Sequence, residues 1–159
     1  MTFDSMDALR NYISSRSQVA VKIAQEEVYR IIGNWLEVFY GEFEPRLYDR
    51  TYQLLCSLVK SDIKPTANGW VAEVYFDLNA LDYSIKTLQG IGTWENTYHR
   101  AAWGKDNDAW VLETAMTGSA PHGGYASGHA VWTESLKVLN REKREMLKRA
   151  LLDAGIPVK

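Results

Sequence analysis

The chain has 159 residues, the length of one domain, and its 46% hydrophobic and 24% charged residues exclude an intrinsically disordered protein. The formal net charge of −2 provides no overall basic field for binding nucleic acid or an anionic membrane. From residue 131 onward, seven basic and four acidic residues give a net charge of +3, which leaves −5 on the remainder. This asymmetry suits head-to-tail self-association.

The N-terminal sequence MTFDSMDALR does not predict secretion, because no basic stretch is followed by an apolar core. The longest uncharged run, residues 114–133, is too rich in Gly, Ser, Pro and His to span a bilayer. A single cysteine, Cys56, cannot form an internal disulfide. We therefore expect a soluble chain built for a reducing cytoplasm.

Two helices are predicted at the start of the chain. A short one is expected over residues 4–15, and a long amphipathic one begins after the N-cap residue Ser17 and ends near Gly41. Gly33 is unfavourable within a helix, so it is interpreted as a mark of close packing. Its apolar residues recur at steps of three and four, and Gln25 lies off this stripe. The stripe consists of Ala24, Val28, Ile31, Trp35 and Val38, and it is widened by Val21, Ile32 and Phe39.

A small antiparallel sheet is predicted next. Residues 51–62 contain a mixed apolar run, and residues 70–77 alternate as a half-buried strand does. Pro65 and the pair Asn68-Gly69 lie between the two runs and predict a hairpin. One face of this strand consists of Trp70, Ala72, Val74 and Phe76, and the other of Val71, Glu73, Tyr75 and Asp77.

Residues 78–108 show no sustained period, so a long loop or insertion is expected there. A further strand, with a helical turn as the alternative, is predicted at residues 109–116, followed by an irregular Gly-rich segment at 118–128. The chain closes with a helix over about residues 133–154, which Gly155 ends with Ile156 as its hydrophobic partner. Its predicted apolar stripe is Leu136, Leu139, Met146, Leu147, Ala150 and Leu151.

These elements predict a single α+β domain over residues 1–159. A long N-terminal helix and a C-terminal helix pack on a small antiparallel β-sheet.

No catalytic, cofactor or metal site is predicted. The three histidines are His99, His122 and His129, and the last two are seven residues apart in a Gly-rich segment that matches no short metal-ligand motif. Asp77 and Asp82 are available carboxylates, but nothing in the sequence ties them to the histidines. The histidines are therefore interpreted as parts of surface turns.

Other chemistry is no better supported. Cys56 lies in the apolar run LLCSL, so we expect a small buried residue and not a reactive thiolate. The GIG sequence at residues 90–92 lacks the third glycine of a dinucleotide-binding loop. Basic residues of the last helix are interspersed with acidic ones, which is typical of a solvated helix and not of a nucleic-acid interface.

Residues 42–58, EFEPRLYDRTYQLLCSL, form the most distinctive segment. Arginine guanidinium groups alternate there with tyrosine rings around a short turn. One interpretation is a purely structural corner that docks a strand on the long helix. The other is a subunit interface, where Arg and Tyr are over-represented as anchors. The residues predicted for that interface are Arg46, Tyr48, Arg50, Thr51 and Tyr52.

This segment resembles the signature of siphophage and prophage tail-component proteins, the gene-product-ten-like tail-completion, head–tail joining or neck proteins. The strand ending in YFD, a later HGG and a final helix ending in Gly-Ile are also similar. Tyr52 departs from the pattern, because many relatives have glycine in that place. The matching residues are Pro45, Tyr48, Arg50, Thr51, Leu54, Ser57 and Leu58.

The resemblance implies a structural protein that is not an enzyme. It would form a ring of identical subunits at the head–tail junction or the tail end, and contact head-connector or tail-tube proteins in a virion assembled in the host cytoplasm. From the composition and the missing motifs, no cofactor, no membrane contact and no nucleic-acid specificity is predicted. Two alternatives remain open, a small metal-dependent hydrolase or nuclease using the histidines with Asp77, and a cytoplasmic immunity-type binding module.

Overall fold

A computed structural model describes residues 2–42, 52–81 and 130–158. Helix α1 (Met6–Glu42) is followed by the single turn of helix α2 (Gln53–Cys56). Four short strands come next: β1 (Leu58–Lys60), β2 (Lys64–Thr66), β3 (Gly69–Val71) and β4 (Val74–Phe76). A 3-10 turn (Leu78–Ala80) follows, and helix α3 (Val131–Asp153) closes the described chain. The predicted α+β class is confirmed, with a long N-terminal helix, a C-terminal helix and small antiparallel sheets.

The chain divides into two compact units. The first unit contains Met1–Ile31, Lys60–Tyr75 and Val138–Lys159, and the second contains Ile32–Val59 and Phe76–Lys137. The prediction of a single domain stays a prediction. The predicted strand at 109–116, the Gly-rich segment at 118–128 and nearly all of the expected loop at 78–108 lie outside the described residues.

The N-terminal part of the chain forms one helix, so the predicted break before Ser17 is wrong. The sequence SSRSQ at residues 14–18 contains neither Gly nor Pro, and its polar side chains are tolerated in an exposed helix. The N-cap is instead Ser5, whose Oγ accepts a hydrogen bond from the backbone N–H of Ala8 at 3.1 Å.

Alanines form the core of the first unit, where α1 packs against α3. Ala20 on α1 and Ala150 and Ala154 at the end of α3 are buried in one cluster. Small side chains allow two helix backbones to approach closely. The half-buried residues packed around this contact are Ile23, Ala24 and Leu151.

The apolar stripe of α1 is partly as predicted. Ile31 is buried, but Val38 is 39% exposed and Leu36, outside the predicted stripe, is completely buried. Gln25 was predicted to lie off the stripe, and it is buried as well. Burial of the Gln25 amide is compensated by two hydrogen bonds of 2.9 Å, from its Nε2 to the backbone oxygens of Ser61 and Glu73.

The predicted antiparallel hairpin is confirmed, and it is divided into two ladders. Strand β2 pairs with β3 through a two-residue turn, with Thr66 opposite Gly69, and β1 pairs with β4. Pro65 lies in β2 opposite Trp70, and not in the turn. The predicted continuous strand over residues 70–77 is interrupted at residues 72–73, because β3 and β4 belong to different ladders.

The side-chain alternation of this region survives the interruption. Trp70, Ala72, Val74 and Phe76 are all half-buried, while Val71 and Tyr75 are exposed. Trp70 is held by a hydrogen bond of 2.9 Å from its Nε1 to the backbone oxygen of Ser14 on α1.

Helix α3 and its ending agree with the prediction. Gly155 has a φ of +86°, and the N–H groups of Gly155 and Ile156 donate to the oxygens of Leu152 and Leu151 at 2.9 and 2.8 Å. These two bonds define a Schellman motif, a helix ending that satisfies the last carbonyl groups. The predicted apolar stripe is wrong at two positions, Leu136 and Leu147, which are 37% and 51% exposed.

Candidate interaction site

Only one of the predicted interface residues is described by the structure. Arg46, Tyr48, Arg50 and Thr51 lie outside the described residues, and Tyr52 immediately precedes α2. The geometry of the site is therefore built from Tyr52 and the elements of the second unit that hold it.

The backbone of Tyr52 is left-handed, with φ 55° and ψ 16°. Only glycine adopts this region without a steric cost, since the Cβ atom of any other residue crowds its own backbone. Among the described residues, Tyr52 is the only one other than glycine with a positive φ. The backbone at Tyr52 is therefore strained, and glycine in this place would relieve the strain.

The segment after Tyr52 is firmly anchored. The oxygen of Tyr52 accepts the N–H of Cys56 at 3.0 Å, which closes the single turn of α2. Leu54 within that turn and Ser57 directly after it are buried, and the Ser57 hydroxyl donates to the oxygen of Leu54 at 2.7 Å. The oxygen of Ser57 also accepts the N–H of Asp77 at 2.7 Å. A fixed base therefore holds the strained residue in place.

The ring of Tyr52 faces outward. Tyr52 is 46% exposed, and its ring lies against the ring of Tyr40, with 5.2 Å between centroids and a tilt of 36°. Tyr40 in turn meets Phe39 edge to face at 5.8 Å. Aromatic pairs in these geometries stabilise each other beyond the area they bury. We call Phe39, Tyr40 and Tyr52 the aromatic corner.

The aromatic corner was only partly visible in the sequence. The sequence points to Tyr52 as an interface residue and to Phe39 as part of the widened apolar stripe of the helix, but it assigns no role to Tyr40. Tyr40 directly precedes Gly41 near the end of α1, where a tyrosine ring can reach the next segment of chain. An aromatic residue in the last turn of a helix, before a segment rich in tyrosine, is the signal that would have found it.

Cys56 corrects another expectation. It was expected to be buried in a strand, but it is the exposed last residue of α2. Leu54 and Leu55 belong to the same helical turn, and the first strand begins at Leu58. Alternation in LLCSL cannot distinguish one helical turn from a strand, because the run is too short.

The candidate carboxylate Asp77 has a structural role. Its Oδ1 accepts hydrogen bonds from the backbone N–H and the side-chain Nδ2 of Asn79, at 3.0 and 3.1 Å, and so caps the 3-10 turn. His99, His122, His129 and Asp82 lie outside the described residues. Within residues 2–42, 52–81 and 130–158, no three His, Cys, Asp or Glu side chains are grouped to hold a metal ion.

Two charged residues on the middle of α1, Glu27 and Arg30, form an ion pair. Arg30 makes a two-pronged contact with Glu27, with distances of 2.6 and 3.0 Å. The hydrogen bond from Arg30 holds the pKa of Glu27 below its ordinary value, although burial opposes this, and the charges of Arg30 and Arg149 add to it. The same bond raises the pKa of Arg30. This pair stabilises the folded state above the ordinary pKa of a glutamate, and the contribution is lost as the pH falls through the lowered pKa.

Among the helices of the described segments, none is long and apolar enough to cross a lipid bilayer. Comparison with curated proteins and with solved structures finds no match.

A family model described as YomN matches residues 5–153. The match therefore includes α1, the aromatic corner, the four strands and all of α3. The name comes from a prophage region of Bacillus, which is consistent with a phage-associated protein. Because the matched range covers most of its length, the chain belongs to the YomN family.

Proposed function

We propose that this protein is a structural component of a phage particle, at the head–tail junction or the end of the tail. It acts by assembling into a ring with copies of itself and by docking to head-connector or tail-tube proteins. The prophage origin of the family name supports a phage setting. The resemblance of residues 42–58 to tail-completion and neck proteins supports the position in the particle.

The aromatic corner is the observation that carries this proposal. Strained backbone conformations persist where the surrounding structure enforces them, and they cluster at functional positions. Tyr52 has a strained left-handed backbone and an exposed ring, although glycine in this place would remove the strain. Tyrosine is among the residues that contribute most to binding energy when a partner covers them.

Ring assembly also agrees with the charge distribution. The chain carries +3 from residue 131 onward and −5 elsewhere, so two copies have complementary regions. A heterologous contact between unlike surfaces produces a closed ring when its rotation closes.

The proposal is tested by counting subunits and then removing the Tyr52 ring. Mass photometry or native mass spectrometry of the purified protein should give one discrete oligomer, or a complex with a tail-tube or connector protein. Tyr52→Ala should weaken that assembly at least tenfold. The matched control is Tyr75→Ala, since Tyr75 is equally exposed, at 48%, but lies outside the corner. A wild-type chain that stays monomeric at high concentration and binds neither kind of particle protein contradicts the proposal.

The two alternatives predict different results. A metal-dependent hydrolase should retain a stoichiometric metal after purification without chelators, and should lose activity in the His122→Ala/His129→Ala variant. An immunity-type module should bind one cognate protein with fixed stoichiometry and form no ring.

A further inference from the structure

A shallow groove lies on α3 in the first unit. Its volume is about 250 Å³ and it is open to solvent. Pockets for small molecules usually measure about 300–1,000 Å³ and enclose most of the ligand. The groove is therefore suited to one or two protein side chains. It is lined by Arg144, Glu145, Leu147, Lys148, Leu151 and Val158.

The groove combines an apolar floor with a basic rim. Leu147 and Leu151 are one helical turn apart, and Leu147 is 51% exposed. Arg144 and Lys148 are also one turn apart, and neither has an ion-pair partner within the described residues. Among the described residues that line the groove, Glu145 is the only acidic one, so the positive charge of the rim is only partly compensated. The complementary occupant is an apolar side chain flanked by carboxylates.

The start of α1 has this chemistry. Met6 is 65% exposed, and the acidic residues Asp4 and Asp7 on either side of it are exposed too. Asp7 contacts Arg10 at 3.4 Å, a long contact between two side chains that are mostly exposed, so its carboxylate stays available. The N-cap bond to Ser5 fixes the backbone of this turn. We call residues 4–7 the acidic turn.

We infer that the acidic turn of one copy docks in the α3 groove of a second copy. Met6 covers Leu147 and Leu151, and the two aspartates approach Arg144 and Lys148. This inference rests on the proposed function, because it identifies one contact through which copies associate. It also explains how the regional charge asymmetry acts between subunits. Glu145 opposes the contact, so its removal strengthens association.

Charge reversal tests the contact. The Arg144→Glu/Lys148→Glu variant and the Asp4→Lys/Asp7→Lys variant should each self-associate at least tenfold more weakly than wild type at low salt. An equal mixture should associate again, because each reversed groove then meets a reversed acidic turn and each native groove a native one. This rescue shows that both variants are folded. Glu145→Gln should associate more tightly than wild type. Unchanged association of either variant, or a mixture that fails to associate, overturns the inference.

Disulfide capture tests the same contact when association is weak. In a Cys56→Ser background, one chain carries Met6→Cys and the other, with a different affinity tag, carries Leu147→Cys. Mild oxidation should give mostly the mixed disulfide. The matched control replaces Met6→Cys by Val19→Cys, since Val19 is exposed on a different face of α1. A yield of the mixed disulfide no higher than in the control overturns the inference.

The two hypotheses fail separately. If wild-type assembly depends on Tyr52 but the charge-reversed variants associate normally, the groove contact is wrong and the proposed function stands. If the mixed disulfide forms but no particle protein binds and Tyr52→Ala has no effect, the proposed function is wrong and the contact between copies stands.

Discussion

Gly155 and Tyr52 both have a positive φ, but Gly155 has no side chain and Tyr52 has a large aromatic one. Gly155 has a φ of +86° and Tyr52 a φ of +55°. At residue 155 only the backbone is needed, because it ends α3 and satisfies carbonyl groups. At residue 52 the same conformation begins α2, and the residue there carries a large ring that packs on Tyr40. Gly155 therefore serves through its backbone alone, whereas Tyr52 contributes a side chain at the cost of backbone strain.

Gly155→Ala is the change with the largest expected effect on stability. Alanine at a positive φ costs about 1–2 kcal/mol, so the free energy of unfolding should fall by that amount. The added Cβ atom would lie 3.5 Å from the Tyr12 hydroxyl, an ordinary contact, so the loss reports the backbone alone. Urea denaturation followed by circular dichroism measures it. An unchanged midpoint would mean that the helix ending tolerates a side chain.

The strain at residue 52 is measured by comparing two variants with each other. Tyr52→Ala and Tyr52→Gly both lose the ring contact with Tyr40, but only glycine relieves the left-handed backbone. The glycine variant should be more stable than the alanine variant by about 1 kcal/mol. Equal unfolding free energies would show that Tyr52 is unstrained. Both variants should be defective in assembly, since both lack the ring.

Tyr12→Phe tests how much the hydrogen bond from the Tyr12 hydroxyl stabilises the helix ending at Gly155. The Tyr12 hydroxyl donates to the oxygen of Gly155 at 3.0 Å, and its loss should cost about 1 kcal/mol. Phenylalanine retains the two contacts of the Tyr12 ring. The ring centroid of Phe3 lies 5.1 Å from that of Tyr12, and the Arg16 guanidinium carbon lies 5.5 Å from it. Tyr75→Phe is the control, since Tyr75 is exposed and should be insensitive. If both variants unfold at the same urea concentration, the hydrogen bond contributes nothing measurable.

Gly33→Ala and Gly41→Ala replace two glycines of α1 that have no positive φ, and they should have the smallest effects. A Cβ atom at Gly33 would lie 4.0 Å from Leu58 Cδ2, which leaves room for a methyl group. Alanine should therefore raise the unfolding free energy by about 0.5–1 kcal/mol through helix propensity. Gly41→Ala is a second site with open space, where a smaller gain is expected at the fraying end of α1. A loss of stability at Gly33 would indicate the close packing expected from the sequence.

Local features of the fold were predictable because they depend on neighbouring residues. The Gly155 ending and the alternation at residues 70–76 are properties of a few consecutive side chains and their backbone. Helix α3 was predicted within two residues of its observed start. Its exposed leucines were not, because Leu136 and Leu147 continue the apolar period without packing in the core.

Features that depend on residues far apart in the sequence were not predicted. Gln25 is buried because two carbonyl groups, those of Ser61 and Glu73, approach it at the end of a ladder. The interruption at residues 72–73 follows from strand pairing, which the sequence of that segment does not specify. At the candidate site, residue type pointed to Tyr52, but its strain and its contact with Tyr40 required coordinates.

The bond between Tyr12 and Gly155 joins residues that are 143 positions apart. During synthesis, the first turns of α1 leave the ribosome long before the residue that completes their packing has been added. The alanine contact between Ala20 and Ala150 is delayed in the same way. Until residues near 155 emerge, the apolar side chains of early α1 have no partner from α3, and exposed apolar surface of this kind favours aggregation of incomplete chains.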